Sequence, residues 1–139
     1  MKTTLILFFI VPFLSLPTQK TSTAFIGKWT WDFKGELIII EFDKSGWVSF
    51  TQKQGVFGGK EFIYENEKCQ LTYEISTSFE PIQIDFIITK LRSGERKKYF
   101  LGIAEFKGKD TLLLGLDLHR RPSKLTDSHF YNLKRTKFK

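Results

Sequence analysis

Residues 25–33 read Phe25-Ile26-Gly27-Lys28-Trp29-Thr30-Trp31-Asp32-Phe33, and the spacing of their apolar positions decides the fold. Phe25, Gly27, Trp29, Trp31 and Phe33 alternate with Ile26, Lys28, Thr30 and Asp32. A period of two places four aromatics on one face of a strand, whereas a helix would scatter them around its axis. Gly35 ends the run, and Glu36 to Asp43 follows as a second strand rich in β-branched residues.

The same pattern continues outward from that opening. Lys44-Ser45-Gly46 reads as a turn, and Trp47 to Lys53 as a returning strand with Val48 and Phe50 on one face. Gly55 to Gly59 reads as a loop before a strand over Glu61 to Glu65, where Phe62 and Tyr64 share a side. Cys69, Leu71, Tyr73 and Ile75 alternate with Gln70, Thr72, Glu74 and Ser76. Pro81 opens a strand over Ile82 to Lys90, with Ile82, Ile84, Phe86 and Ile88 inward. Ser93-Gly94 and Gly108-Lys109-Asp110 turn the chain into strands over Lys98 to Phe106 and Thr111 to Leu118, and a last strand covers His129 to Arg135. No stretch sustains an apolar period of 3.6, and a short helix is expected only over Ser123 to Asp127. Short strands joined by hairpin-length turns predict an all-β, antiparallel, up-and-down barrel of eight or nine strands, whose closure removes exposed edges.

Ahead of these strands lies a different kind of segment. Lys2 is followed by a charge-free apolar run of 12 residues, Leu5 to Leu16, interrupted by Pro12. That is the tripartite pattern of a secretory signal peptide, since a membrane-spanning helix needs about 20 apolar residues. Ser22-Thr23-Ala24 supplies small residues for a cut, which gives a signal peptide over 1–24 and a single domain over 25–139 with a short basic C-terminal tail. The chain is therefore expected to be exported, periplasmic or secreted, with a mature part that does not span a membrane and is a monomer. Of the 22 Lys and Arg residues two lie in the leader, leaving 20 against 15 acids. The excess collects at Lys97-Lys98, Arg120-Arg121 and Lys134, Arg135, Lys137 and Lys139. Export argues against nucleic acid as the partner of this charge. A solvated face, or attraction to an anionic envelope polymer, accounts for it instead.

Little in the residue inventory suggests catalysis. One Cys excludes an intramolecular disulfide, and Cys69 falls on the apolar face of its strand, as a buried thiol does. His119 and His129, ten apart, match no zinc spacing with Cys69 or Asp117. Asp85 and Asp117 fall on the faces opposite the apolar stripe and are expected in solvent, with nothing to bring them into one cleft. No Ser lies in a nucleophile-elbow pattern, and Gly58-Gly59-Lys60 lacks the spacing of a phosphate loop. The chain is expected to be no enzyme, with no metal and no cofactor.

Gly27-Lys28-Trp29 on the first strand resembles the G-x-W signature that opens lipocalins and related calycin barrels. The chain is similar more specifically to small exported bacterial lipocalin-like proteins. The resemblance continues in Glu41-Phe42-Asp43-Lys44-Ser45-Gly46, Tyr73, Pro81 with Ile84-Asp85, and Gly102-Ile103. It runs on through Asp110-Thr111-Leu112, Arg121-Pro122 and Leu133-Lys134-Arg135, so that it spans residues 25 to 135. The chain lacks the T-D-Y motif and the disulfide of true lipocalins and is shorter. The resemblance implies that Trp29 plugs one barrel end and that Arg135 packs over its ring, a pairing with a physical basis in cation–π attraction.

The barrel interior is then the candidate site. An eight-stranded barrel either fills with its own side chains or encloses one small ligand, and both remain open on sequence. If a pocket exists, Trp31, Phe50, Tyr64, Tyr73 and Phe86 are its expected lining, suited to a lipid-like or aromatic molecule. Two functions follow. One is a binding protein that holds a small hydrophobic molecule. The other is a filled scaffold that meets an envelope protein through the Gly55–Gly59 or Arg120–Arg121 loop, as an interaction or inhibitor module.

Overall fold

The computed structural model describes residues 23–126 and 130–137. Most of the leader expected over 1–24 therefore lies outside the described residues, as do His129 and the last two residues of the basic tail. From Gly27 onward the regular elements are ten strands: β1 (Gly27–Phe33), β2 (Glu36–Phe42), β3 (Val48–Gln52), β4 (Gly55–Gly58) and β5 (Phe62–Tyr64), then β6 (Glu67–Ser76), β7 (Ile82–Lys90), β8 (Arg96–Phe106), β9 (Thr111–Asp117) and β10 (Phe130–Arg135). Among the described residues no helix is long and apolar enough to cross a membrane.

The strands form one antiparallel sheet in the order β4-β3-β2-β1-β10-β9-β8-β7-β6-β5. Every neighbour in it is also a sequence neighbour except β1 and β10, which join the two ends of the chain through Trp29 opposite Arg135. The sheet curls until β6 meets β3. The Tyr73 N–H donates to the Gly46 carbonyl at 3.1 Å, the Leu71 N–H donates to the Gly59 carbonyl at 2.9 Å, and Trp47 bridges Thr72. The result is a nearly closed barrel in which β4 and β5 flank the seam.

Local chemistry explains the turns. Lys34 and Gly35 both have positive φ in the β1–β2 turn, and so do Glu65 and Asn66 in the β5–β6 turn. These are two-residue hairpins whose twist matches the strands they join. The Asp32 carboxylate accepts the Gly35 N–H at 2.9 Å and fixes the first of them.

Strand count is the first correction to the sequence reading, which expected eight or nine. Gly55 to Gly58, expected as part of a loop, pairs with β3 in register from Ser49 opposite Gly58 to Gln52 opposite Gly55. Glycines usually mark a break, but here one is required by contact. A Cβ at Gly58, where φ is +99°, would lie 2.6 Å from the Val48 carbonyl oxygen and 2.8 Å from Leu71. Only a residue without a side chain lets the seam close there. The short helix expected over Ser123 to Asp127 is also absent from the described part, where residues 123–126 form bends and turns. Pro122 and Leu125 instead lie over Gly115 on the outside of the barrel.

Because neighbouring strands run in opposite directions, the turns after β1, β3, β5, β7 and β9 gather at one end. The turns after β2, β4, β6 and β8 gather at the other, together with the N-terminal turn. That second end is packed shut. Phe25 and Trp29 are fully buried, with Phe42 at 1% exposure, and the Phe25 ring meets Phe42 at 5.7 Å and Phe106 at 4.8 Å edge-on. Phe25 does not extend β1, as the alternation suggested. It sits in the turn ahead of it and folds under the barrel, where its carbonyl accepts the Trp29 indole N–H at 2.8 Å.

Candidate functional site

At the end opposite Trp29 the interior opens into a cup of about 330 Å³. Six aromatic side chains form most of its wall: Trp31, Phe50, Phe57, Tyr99, Phe100 and Tyr131. Ile38, Ile40 and Leu116 add aliphatic surface, and Gln52 adds an amide. Trp31 and Tyr131 meet edge-to-face at 4.5 Å. Across the cup Phe57 lies 5.4 Å from Tyr99, Tyr99 lies 4.6 Å from Phe100, and Phe50 lies 6.1 Å from Phe100. Offset and perpendicular contacts of this kind hold the rings in place with their faces and edges both presented to the cavity.

Alternation alone does not produce this wall. On β8, Tyr99 and Phe100 are consecutive, yet both line the cup. Phe100 pairs with Phe86 and Lys98 pairs with Ile87, which leaves Tyr99 as an extra residue in a β-bulge. A bulge re-aims a side chain, and here it turns a position due to face outward into the cavity.

Of the five residues expected to line a pocket, Trp31 and Phe50 do so and the other three lie elsewhere. Phe86 is fully buried below the cup, 5.6 Å from Phe50 and 6.1 Å from Phe100. Tyr64 stands behind the wall at the seam, with its ring 5.7 Å from Tyr99 and 6.3 Å from Phe57. Tyr73 belongs to the closed end, where its hydroxyl donates to the Asp43 carbonyl at 2.9 Å and its ring packs on Phe42. Phe57, Tyr99, Phe100 and Tyr131 were not among the expected lining. The only sequence signal for the middle pair is the doubled aromatic Tyr99-Phe100, which interrupts an otherwise regular strand.

Among the described residues the lining carries no ionisable group except two phenols. Burial pushes the Tyr131 pKa above the ordinary phenol value, and a phenol is already protonated near neutrality, so its hydroxyl is a hydrogen-bond donor there. Burial does the same for Cys69, whose thiol has no exposure and accordingly little thiolate character.

Charged groups are used outside the cup. At the closed end the Arg135 guanidinium lies 4.2 Å from the centre of the Trp29 ring. Its Nη1 donates to the Ile26 carbonyl at 2.9 Å, and its Nη2 donates to the Ala24 carbonyl at 2.7 Å. A second cluster covers the outer wall. Asp85, expected in solvent, has a side chain only 13% exposed, with Arg121 at 2.7 Å and Lys98 at 3.0 Å. Burial acts to raise its pKa, but the hydrogen bonds and charges of Arg121 and Lys98 overcome that and hold it below the usual carboxylate value. Arg121 also donates to the Gly102 carbonyl at 2.8 Å, which pins the segment after β9 against the barrel. Asp117 accepts the backbone N–H groups of His119 and Arg120 and so caps the turn at the start of that segment. Among the described residues no group of three or more His, Cys, Asp or Glu could hold a metal ion.

Compared with family models, with curated proteins and with solved structures, the chain matches none.

Proposed function

We propose that this is an exported, non-enzymatic binding protein that holds a small hydrophobic molecule in the aromatic cup of a lipocalin-like barrel. The observation that carries the reading is the asymmetry of the interior: one end filled by Phe25, Trp29 and Phe42, the other open over about 330 Å³ of mostly aromatic wall. That volume lies at the lower end of the range for ligand pockets, about 300–1,000 Å³, which are concave, largely apolar and few per protein. The G-x-W strand and the Arg135 side chain over Trp29 agree with the same family reading. Residues acting through an outer loop receive less support. Gly55–Gly58 is a paired strand and Arg121 is held by Asp85, so of the side chains named for a scaffold function Val56 and Arg120 are the ones left exposed.

Export belongs to this proposal, with the leader removed upstream of Thr23. The Thr23 carbonyl accepts the Ile26 N–H at 3.2 Å and the Ala24 carbonyl holds Arg135, so a cut after Ala24 would discard both.

Native mass spectrometry of the protein recovered from its own exported fraction tests the function. The expected result is an added mass that disappears on denaturation. A bare mass, with no gain on exposure to extracts of envelope lipid and culture medium, overturns the reading.

A further inference from the structure

Resting on the cup as a binding site, we infer that its occupant is a compact, uncharged ring molecule of one or two fused rings carrying a hydroxyl or carbonyl, and not a long-chain lipid. Depth is the first argument. On β2 the lining consists of Ile38 and Ile40, and on β3 of Phe50 and Gln52, so the cup is two inward-facing layers deep. Layers two residues apart along a strand are separated by about 6.6 Å. Below them Phe42 at 1% exposure and Phe86 at 0% form a floor. An extended long acyl chain is several times that depth and would leave most of its length in water. A volume of about 330 Å³ equals roughly eleven waters at ~30 Å³ each, which is the scale of one or two rings.

The character of the wall is the second argument. Rings meet rings best edge-on or offset, and the cup presents aromatic surface on both sides: Trp31 with Tyr131, and Phe57 with Tyr99 and Phe100. A flat molecule entering between them continues the edge-to-face pattern that the protein already uses. A flexible aliphatic chain gains only area.

Charge is the third argument. Among the described residues no lysine, arginine or carboxylate belongs to the lining, so an ionised group drawn to the floor would lose its water with nothing there to replace it. Neutral polarity is provided for. Tyr99, Tyr131 and Gln52 belong to the lining, and no hydrogen bond among the described residues uses their hydroxyls or the side-chain amide. A phenol carries its proton at neutral pH, so the Tyr131 hydroxyl offers a donor to a ligand oxygen.

Calorimetric titration of the full chain with 2-naphthol, 2-naphthoate and palmitate, followed by competition, tests the inference. The expected result is one-to-one binding of 2-naphthol, at least tenfold weaker binding of 2-naphthoate, and no displacement by palmitate. Ile38→Trp and Leu116→Phe, which fill the cup, should each weaken 2-naphthol at least tenfold while thermal melting is retained. Tyr131→Phe, which keeps the ring and removes the donor, should weaken it about threefold to tenfold. Palmitate binding in place of 2-naphthol would overturn the ring inference and leave the cup standing as a binding site. Equal affinity for 2-naphthoate would overturn the uncharged part. If none of the three probes binds, and the filled variants behave as the parent, the inference and the cup as a binding site fail together.

Discussion

The two ends of this barrel are built from the same strands with the same alternation, and they end differently. At the closed end β1 delivers Trp29 and at the open end it delivers Trp31, one inward position further along. Trp29 is fully buried and Trp31 is only partly so. The difference does not lie in the strands. At the closed end a turn outside the sheet carries Phe25 under the barrel, and Arg135 covers Trp29 from β10. At the open end Phe33, the next inward residue of β1, is 45% exposed and packs its ring against Trp31 at 4.9 Å without closing the opening. A barrel of this size therefore fills from its ends. Whether an interior is core or cup depends on a few residues that cross the opening.

Substitutions that treat the two ends alike should separate them. The largest effect is expected for Trp29→Ala, about 3–5 kcal/mol of lost stability, because a fully buried indole leaves a cavity and an orphaned Phe25 carbonyl. Trp31→Ala, at the same spacing on the same strand, should cost no more than about 1–2 kcal/mol because its site is already open to water. Denaturant midpoints of the two variants measure the contrast, and equal values would remove it. Gly58→Ala comes next, at about 2–3 kcal/mol, since the added carbon meets backbone at the seam in a left-handed conformation. A smaller cost of Gly58→Ala in a Leu71→Ala background, which is itself destabilised by the loss of a buried leucine, would show that the side-chain clash dominates over the backbone one.

Arg135→Ala should cost about 2 kcal/mol through the lost carbonyl contacts and ring stacking. Arg135→Lys should recover less than half of it, because an ammonium cannot lie flat on Trp29 and reach both carbonyls. The smallest effect concerns acid. Asp85 has a folded pKa below its unfolded value, so its contribution is complete above the ordinary carboxylate value. It is lost as pH falls through the lower folded value. Stability should therefore decline below about pH 4, and Asp85→Asn should flatten that limb of a melting-temperature profile. An unchanged profile would mean that the Asp85–Arg121 pair contributes nothing to holding the outer segment.

The parts of this molecule legible in sequence are those governed by local periodicity. Cys69 and Leu71 in β6, and Ile84 and Phe86 in β7, are buried because every second residue of a curled sheet faces one way. The parts that were not legible depend on contacts between distant segments. Gly58 looks like a loop residue until Leu71 is known to press against it. Tyr99 looks outward until the bulge opposite Phe86 is seen. Asp85 looks like a surface carboxylate because nothing near it in sequence shows that Arg121, 36 positions away, folds back over it. The cup lies at the meeting point of such effects. Trp31 and Phe50 follow from alternation, while Tyr99 and Tyr131 require the bulge and the β10–β9 register.

Timing follows from the Arg135 clamp. It ties Ala24 and Ile26 to a residue 111 and 109 positions later, so the plug at the closed end cannot be completed until β10 has been synthesised. Before that, β1 can pair only with β2, and Trp29 lacks the Arg135 guanidinium over its ring. The cup waits on the same event, because Tyr131 arrives on the strand that brings Arg135. Closing so long a loop costs chain entropy before any contact repays it, which places the joining of β1 to β10 late in folding. A ribosome-bound chain ending short of β10 would be an open sheet with its aromatic face uncovered, the state in which a chaperone finds the most to hold.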